Sequence, residues 1–191
     1  MATAIIETVP ESVDFDGLYE VVGPRIEERP PMGVFEAVLA KSLLIALDAF
    51  ASETGLGTAQ IEVLFLLDRE RNLRRRPDVA FLSRERWPIE RPAPRAEAWD
   101  VVPDLAVEVI SPTERAVRVV AKVRDYFRAG VRLVWVLYPV EGLAYVFDSA
   151  ASARILTRDD ALDGGDVLPG FALGLAGLFG EPEADPPAGG S

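Results

Sequence analysis

Two short acidic motifs hold the residues best suited to chemistry in this chain: Pro77-Asp78-Val79-Ala80-Phe81 and Pro103-Asp104-Leu105-Ala106-Val107-Glu108-Val109. Asp78 and Glu108 lie within runs of Val, Ala, Leu, Ile and Phe that have the β-branching and alternation of buried or half-buried strands. A carboxylate placed there is costly unless its desolvation is offset, and a divalent cation shared by two such groups offsets it efficiently. Each motif alone has a plainer reading, because an acid after proline commonly initiates a turn. The third member is Lys122, one of two lysines in the chain, on the helix predicted to follow the second motif. A divalent ion between the two acids could polarise a phosphoryl oxygen and acidify a bound water, with the carbonyl of Val109 as a third oxygen ligand. Lys122 beside it could orient that water and offset the charge that builds up on a phosphate.

Composition narrows the chemistry further. The 191 residues include no cysteine and no histidine, which excludes disulfides, thiolate and imidazole ligands, cysteine nucleophiles and histidine-dependent triads. Hard oxygen ligands remain, which favours magnesium, manganese or calcium. No apolar run approaches a membrane span, and the N-terminal residues lack the basic start and long apolar stretch of a signal peptide, so a cytoplasmic location is expected. The net charge of −11 weighs against nonspecific nucleic-acid binding, which relies on Lys and Arg to neutralise phosphates. The charge is uneven, however. Residues 69–95 hold nine arginines against four acids, near +5, which leaves the remainder near −16. That stretch is either a solvated, self-paired loop or a basic rim on which Arg74, Arg75 and Arg76 could bind nucleic acid.

The elements that must position these residues follow from periodicity. Residues 1–16 form an N-terminal extension, 17–180 a single folded domain of ordinary size, and 181–191 (EPEADPPAGGS) an acidic Pro/Gly tail expected to be disordered. A strand pair spans Leu18 to Val22 and Arg25 to Glu28, broken at Gly23-Pro24. A helix covers Val34 to Ser52, with Phe35, Val38, Leu39, Leu43, Ala46, Leu47 and Phe50 on its apolar face. Glu36 in its first turn either complements the helix N-terminus or serves as an accessory metal or water ligand. Ile61 to Leu67 and Arg76 to Leu82 read as one hairpin around Asp68-Asn72. Residues 83–100 form a long excursion anchored by Trp87 and Trp99. After the strand carrying Glu108, Ser111 or Thr113 can cap a helix that stops at Gly130. Its stripe is Ala116, Val119, Val120, Val123, Tyr126 and Phe127, with Lys122 on the flank. From there the lysine either snorkels to solvent or reaches the strand of Glu108. Leu133 to Leu137 pairs with Leu143 to Phe147, and Leu168 to Leu173 closes the domain.

In their order, PDVAF, PDLAVEVISP, the helix lysine, YFRAGVRLVWVLYP and LPGFAL resemble the Uma-two family of restriction-endonuclease-like proteins in the PD-(D/E)XK superfamily, over roughly Arg25 to Gly180. The resemblance implies an α/β (mixed α+β) fold with a central mixed sheet flanked by helices. It also implies a magnesium-dependent nuclease site, manganese being an alternative. The resemblance does not imply the substrate, and the reading adopted is cleavage of nucleic acid, with DNA as the expected substrate. Asp78 would be the first acid, Glu108 the second and Lys122 the lysine. Asp104, at the strand entrance, would be an accessory support. The superfamily's plain pattern has its lysine two residues after the second acid, where Ile110 stands, and the resemblance places that function on the helix. Arg118 stands where similar sequences often carry an acid. A homodimer, the commonest closed assembly, would suit cleavage of two strands. The alternative is a non-catalytic interaction module that keeps the nuclease fold.

Overall fold

The structure is a computed structural model that describes residues 16–180 and the backbone of residues 3–5. The tail expected at 181–191 and most of the N-terminal extension lie outside the described residues. Strands β1 (Thr3–Ile5), β2 (Leu18–Val22) and β3 (Arg25–Arg29) precede helix α1 (Val34–Thr54). Strands β4 (Gly57–Ile61), β5 (Phe65–Asp68), β6 (Leu73–Arg75), β7 (Val79–Ser83) and β8 (Leu105–Val109) lead into α2 (Ala116–Ala129). The described chain closes with β9 (Leu133–Tyr138), β10 (Leu143–Ser149), β11 (Ser152–Thr157), β12 (Ala161–Gly164), β13 (Leu168–Gly174) and α3 (Leu175–Phe179).

The central sheet has the order β11-β10-β9-β8-β7-β4. Its neighbours are antiparallel except β8 and β9, which run parallel and are joined through α2. It is therefore a mixed sheet flanked by helices. A second, antiparallel sheet has the order β1-β3-β2-β6-β5, and β12 pairs with β13. Successive strand residues point to opposite faces, and both faces of the central sheet are covered. Val79, Phe81, Leu105, Val107 and Trp135 pack with Leu39, Leu43 and Leu47 of α1 and with Leu168 and Leu175. Ala80, Leu82, Ala106, Val134 and Val136 pack with Val119, Val123 and Tyr126 of α2. Burial on both faces is why β7, β8 and β9 read as nearly continuous apolar runs.

Several boundaries differ from expectation. The turn at 68–72 is present, with Asn72 in the left-handed region (φ 47°), but the strands it joins are β5 and β6 of the second sheet. The chain leaves the central sheet at Glu62 (φ 49°) and returns at Asp78, and the long-range partners β4 and β7 flank that excursion, with Ile61 opposite Val79. A left-handed glutamate has no reliable sequence signal, so the apolar run on either side of it looks like one strand. In α1, Phe35 and Val38 are exposed and the buried face is Leu39, Ala40, Leu43, Leu47 and Ala51. Helix α2 starts at Ala116, and no side chain caps it; the Ser111 and Thr113 hydroxyls lie 3.3 Å apart and bond each other instead. Its end is as expected, with Gly130 in the left-handed region (φ 99°), where a side chain would be strained. The excursion after β7 is held by Trp87 and Trp99, whose rings meet edge to face at 4.9 Å. Among the described residues no helix is long and apolar enough to cross a membrane.

Candidate active site

The antiparallel register of β7 and β8 sets Val79 opposite Val107, so the next pair along is Asp78 and Glu108. The Asp78 amide donates to the Val107 carbonyl at 3.0 Å. Cross-strand neighbours project from the same face, here the face covered by α2. One turn of α2 presents Lys122 and Tyr126, four residues apart and therefore stacked on one side of the helix. Both donate to Glu108. The Lys122 ammonium reaches Oε2 at 2.6 Å and the Tyr126 hydroxyl reaches Oε1 at 2.6 Å. Lys122 is itself buried, so its stem runs inward rather than to solvent. The Val109 amide donates to Asp78 Oδ2 at 2.6 Å.

Arg29, the last residue of β3, closes the arrangement. Its Nη2 lies 2.9 Å from Asp78 Oδ1 and its Nη1 lies 3.7 Å from Glu108 Oε2. Behind the pair, buried Glu20 of β2 accepts from Arg75 Nη1 at 2.8 Å and from the Arg76 amide at 3.0 Å, and lies 3.5 Å from Lys122. Arg75 continues to Asp125 at 2.5 Å and Glu27 at 3.5 Å. A continuous chain of alternating charge thus runs from Asp78 through Arg29, Glu108, Lys122, Glu20 and Arg75 to Asp125. Burial of this kind is tolerated only where every charge has partners.

The electrostatics follow from that chain. Burial pushes the Asp78 carboxyl up to about 7 and the charge of Glu108 adds to the rise, while Arg29, Lys122 and the Val109 amide only partly oppose it. Burial also raises Glu20, but Lys122, Arg75 and Arg29 together with the Arg76 amide outweigh it and hold that carboxyl down to about 2. The Tyr126 hydroxyl is raised well above its ordinary value by burial and by the charges of Glu108 and Glu20, which keeps it a hydrogen-bond donor.

Asp78, Glu108, Val109, Lys122 and Glu36 line one cleft of about 70 Å³, together with Arg29, Pro30 and Gly33. Glu36 folds back over Gly33 at the N-terminus of its own helix, where a side chain on Gly33 would collide with its carboxylate. Asp104 lies elsewhere, at the opposite end of β8. It accepts from the Ser83 amide at 2.8 Å and pairs with Arg86 at 3.0 Å and Arg132 at 3.6 Å, tying the long excursion and the start of β9 to the sheet. The arginine triplet does not form an open rim. Arg74 and Arg75 are buried, and Arg76 donates to the carbonyls of Glu62 at 2.5 Å and Tyr19 at 3.4 Å.

Sequence reasoning missed Arg29, Glu20 and Tyr126. Glu20 satisfies the criterion that selected Asp78 and Glu108, an acid inside the apolar run Leu18-Tyr19-Glu20-Val21-Val22. Tyr126 was absorbed into an apolar stripe. Arg29 gives no local signal, because its partners are remote in sequence.

The donor chemistry fits a hard divalent cation: two carboxylates opposite each other, with Val109 on the same wall. The raised carboxyl of Asp78 marks a place where added positive charge would favour the ionised pair. Among the described residues, no group of three or more Asp, Glu, His or Cys side chains is arranged to hold a metal ion.

Residues 14–176 match the model of the Uma2 family, whose description reads "Putative restriction endonuclease". No curated protein matches the chain. Among solved structures, a protein of Anabaena variabilis described as "a putative nuclease belonging to DUF820" is similar over 90% of this chain and 93% of its own, with a TM-score of 0.75 and 16% identity. At that identity the likeness shows the fold alone.

Proposed function

The chain belongs to the Uma2 family, and from that premise we propose that it is a magnesium-dependent endonuclease that hydrolyses DNA phosphodiesters, with Asp78, Glu108 and Lys122 as its catalytic residues. The observation that carries this reading is the cleft in which two acids from neighbouring strands and a buried lysine from the following helix converge. Asp78, Glu108 and the Val109 carbonyl would hold the ion. When bound, magnesium supplies Lewis-acid polarisation of a phosphoryl oxygen and a more acidic water.

The chain's own residues do the rest. Tyr126 and Lys122 fix both oxygens of Glu108, so that carboxylate is oriented before substrate arrives and needs no reorganisation during the reaction. The Lys122 ammonium places a positive charge beside the reacting position, where it can hold a water and offset charge on the phosphate. The Val109 amide orients Asp78. Glu36 borders the cleft as an accessory acid, and Asp104 supports the sheet from its far end.

The test is nicking of supercoiled plasmid with and without magnesium. The wild type should nick only with the ion, and Asp78→Asn and Glu108→Gln should both be inactive while retaining native circular dichroism. Nicking by both variants at the wild-type rate would remove these residues from the site.

A second reading, a non-catalytic interaction module that keeps the fold, is favoured by one observation: each carboxylate of the pair already has a cationic partner within the protein. Thermal unfolding across a magnesium titration separates the two readings. An ion that binds only the native state raises Tm, and a flat response would favour the module.

A further inference from the structure

Resting on the metal-centre reading above, we infer that Arg29 is a counter-cation that competes with the divalent ion. Its guanidinium holds Asp78 and Glu108 in the ion-free protein, must withdraw when the ion binds, and so sets the metal affinity of the site.

One guanidinium spans both acids through different nitrogens, at 2.9 Å to Asp78 and 3.7 Å to Glu108. A divalent ion held by the two carboxylates would compete with this guanidinium for the same negative charge. Ligand distances for magnesium are about 2.0–2.1 Å, so both cations on the same oxygens would be in direct electrostatic conflict. Lys122 is differently placed: it approaches Glu108 and Glu20 from within, and its side chain is only 7% exposed. Arg29 is the accessible member, at 17%, compared with 3% for Asp78 and 2% for Glu108.

The structure also gives Arg29 somewhere to go. Besides the cleft, it lines an adjoining cavity of about 300 Å³ whose walls carry Glu20, Glu27 and Asp125. Among the described residues, the bridges of Glu27 are long, 3.5 Å to Arg75 and 3.9 Å to Arg118, which makes it a ready acceptor. The backbone is held on both sides, since Arg29 pairs with Leu18 at the end of β3 and is followed by Pro30-Pro31. The exchange is therefore a side-chain rearrangement. An ion that must first displace a bound group binds more weakly by the population of the displaced state.

Calorimetric titration of manganese into the intact chain tests this. Arg29→Gln should bind manganese about tenfold more tightly than wild type. Arg29→Lys should fall between them, because an ammonium is a point charge that meets one carboxylate at a time. Arg118→Gln, which removes the same charge from the wall of the adjoining cavity, should tighten binding far less. The rise in Tm on adding manganese should be larger in Arg29→Gln than in wild type, even if its ion-free Tm is lower. A purely structural role would lower both Tm values together. If Arg29→Gln does not fold, Arg29→Lys carries the comparison. Equal or weaker affinity in the Arg29 variants, or equal tightening by Arg118→Gln, overturns the inference. A wild-type manganese response that Asp78→Asn abolishes but the Arg29 variants leave unchanged overturns it alone. Absence of binding in wild type and both Arg29 variants removes the metal-centre reading and this inference with it.

Discussion

The carboxyl of Asp78 stands directly across the strand pair from another acid, and a pH dependence follows from that position. Its native pKa of about 7 lies above the ordinary 3.8, so the native protein keeps a proton that the unfolded chain gives up between those values. Stability without metal should therefore fall as pH rises from about 4 to about 7 and level off above, by at most roughly 4 kcal/mol. Glu20 works in the opposite sense. Held down to about 2, it contributes stability that is present above about 4.5 and lost as pH falls toward 2. Urea denaturation in chelator should show a maximum near pH 4–5, and Asp78→Asn should flatten the branch above it; identical slopes in the variant and wild type would place the titration elsewhere. Asp104 provides a contrast. Asp104→Ala leaves the Ser83 amide without its acceptor and removes the carboxylate partner of Arg86 and Arg132, and should cost about 1–3 kcal/mol, with the manganese response unchanged.

Helix α2 brings to the site what no strand could: two donors one turn apart, aimed at both oxygens of one carboxylate. Lys122→Met should lower turnover by roughly two powers of ten and leave ion binding largely intact. Lys41→Met, on the exposed side of α1, is the control and should leave turnover unchanged; equal losses from both would mean that neither lysine acts at the reacting phosphate. This helix and the two acid-bearing strands were legible in the sequence because burial on both sheet faces leaves uninterrupted apolar runs, against which Asp78 and Glu108 stand out. In the second sheet the β2–β3 pair was legible on either side of Gly23-Pro24, but β5 and β6 were not. Glu62 adopts a left-handed backbone without a glycine to announce it, so β4 and β5 merge into one run. Glu20 carried the same signal as Asp78 and Glu108, an acid inside an apolar run, but the pairings of Arg29 and Glu20 in the buried charge chain were hidden for another reason. Their partners Asp78 and Arg75 lie 49 and 55 positions away, beyond any periodicity.

For the whole molecule, the question is where the positive charge goes. The arginine-rich stretch is largely neutralised within the fold: Arg69 pairs with Asp100, Arg71 with Asp68, Arg84 with Glu90 and Arg86 with Asp104, while Arg75 is sunk in the buried chain of charges. The self-paired reading of that stretch describes these contacts better than an open rim. Neutralising Arg74, Arg75 and Arg76 together should therefore lower stability, by about 3–5 kcal/mol from the broken Arg75 pairs alone, and any loss of nucleic-acid affinity should accompany a fall in Tm. Thermal unfolding and filter binding at about 50 mM salt, with calcium in place of magnesium, check this together. Weakened binding at an unchanged Tm would restore the triplet as a docking surface.

The parallel crossover from β8 through α2 to β9 also implies an order of assembly. Glu108 and Lys122 are only 14 positions apart, and closing the much longer loops that bring Arg29 to Asp78 and Glu20 to Arg75 costs about 1 kcal/mol more chain entropy. The strand-helix-strand unit can therefore form with its acid and lysine already engaged, and the β2–β3 hairpin can dock onto it afterwards. Amide protons of β2 and β3 should then exchange through an opening that leaves β8 and β9 protected. In that partly opened form the chain would expose both acids to solvent while the sheet that carries them stays folded.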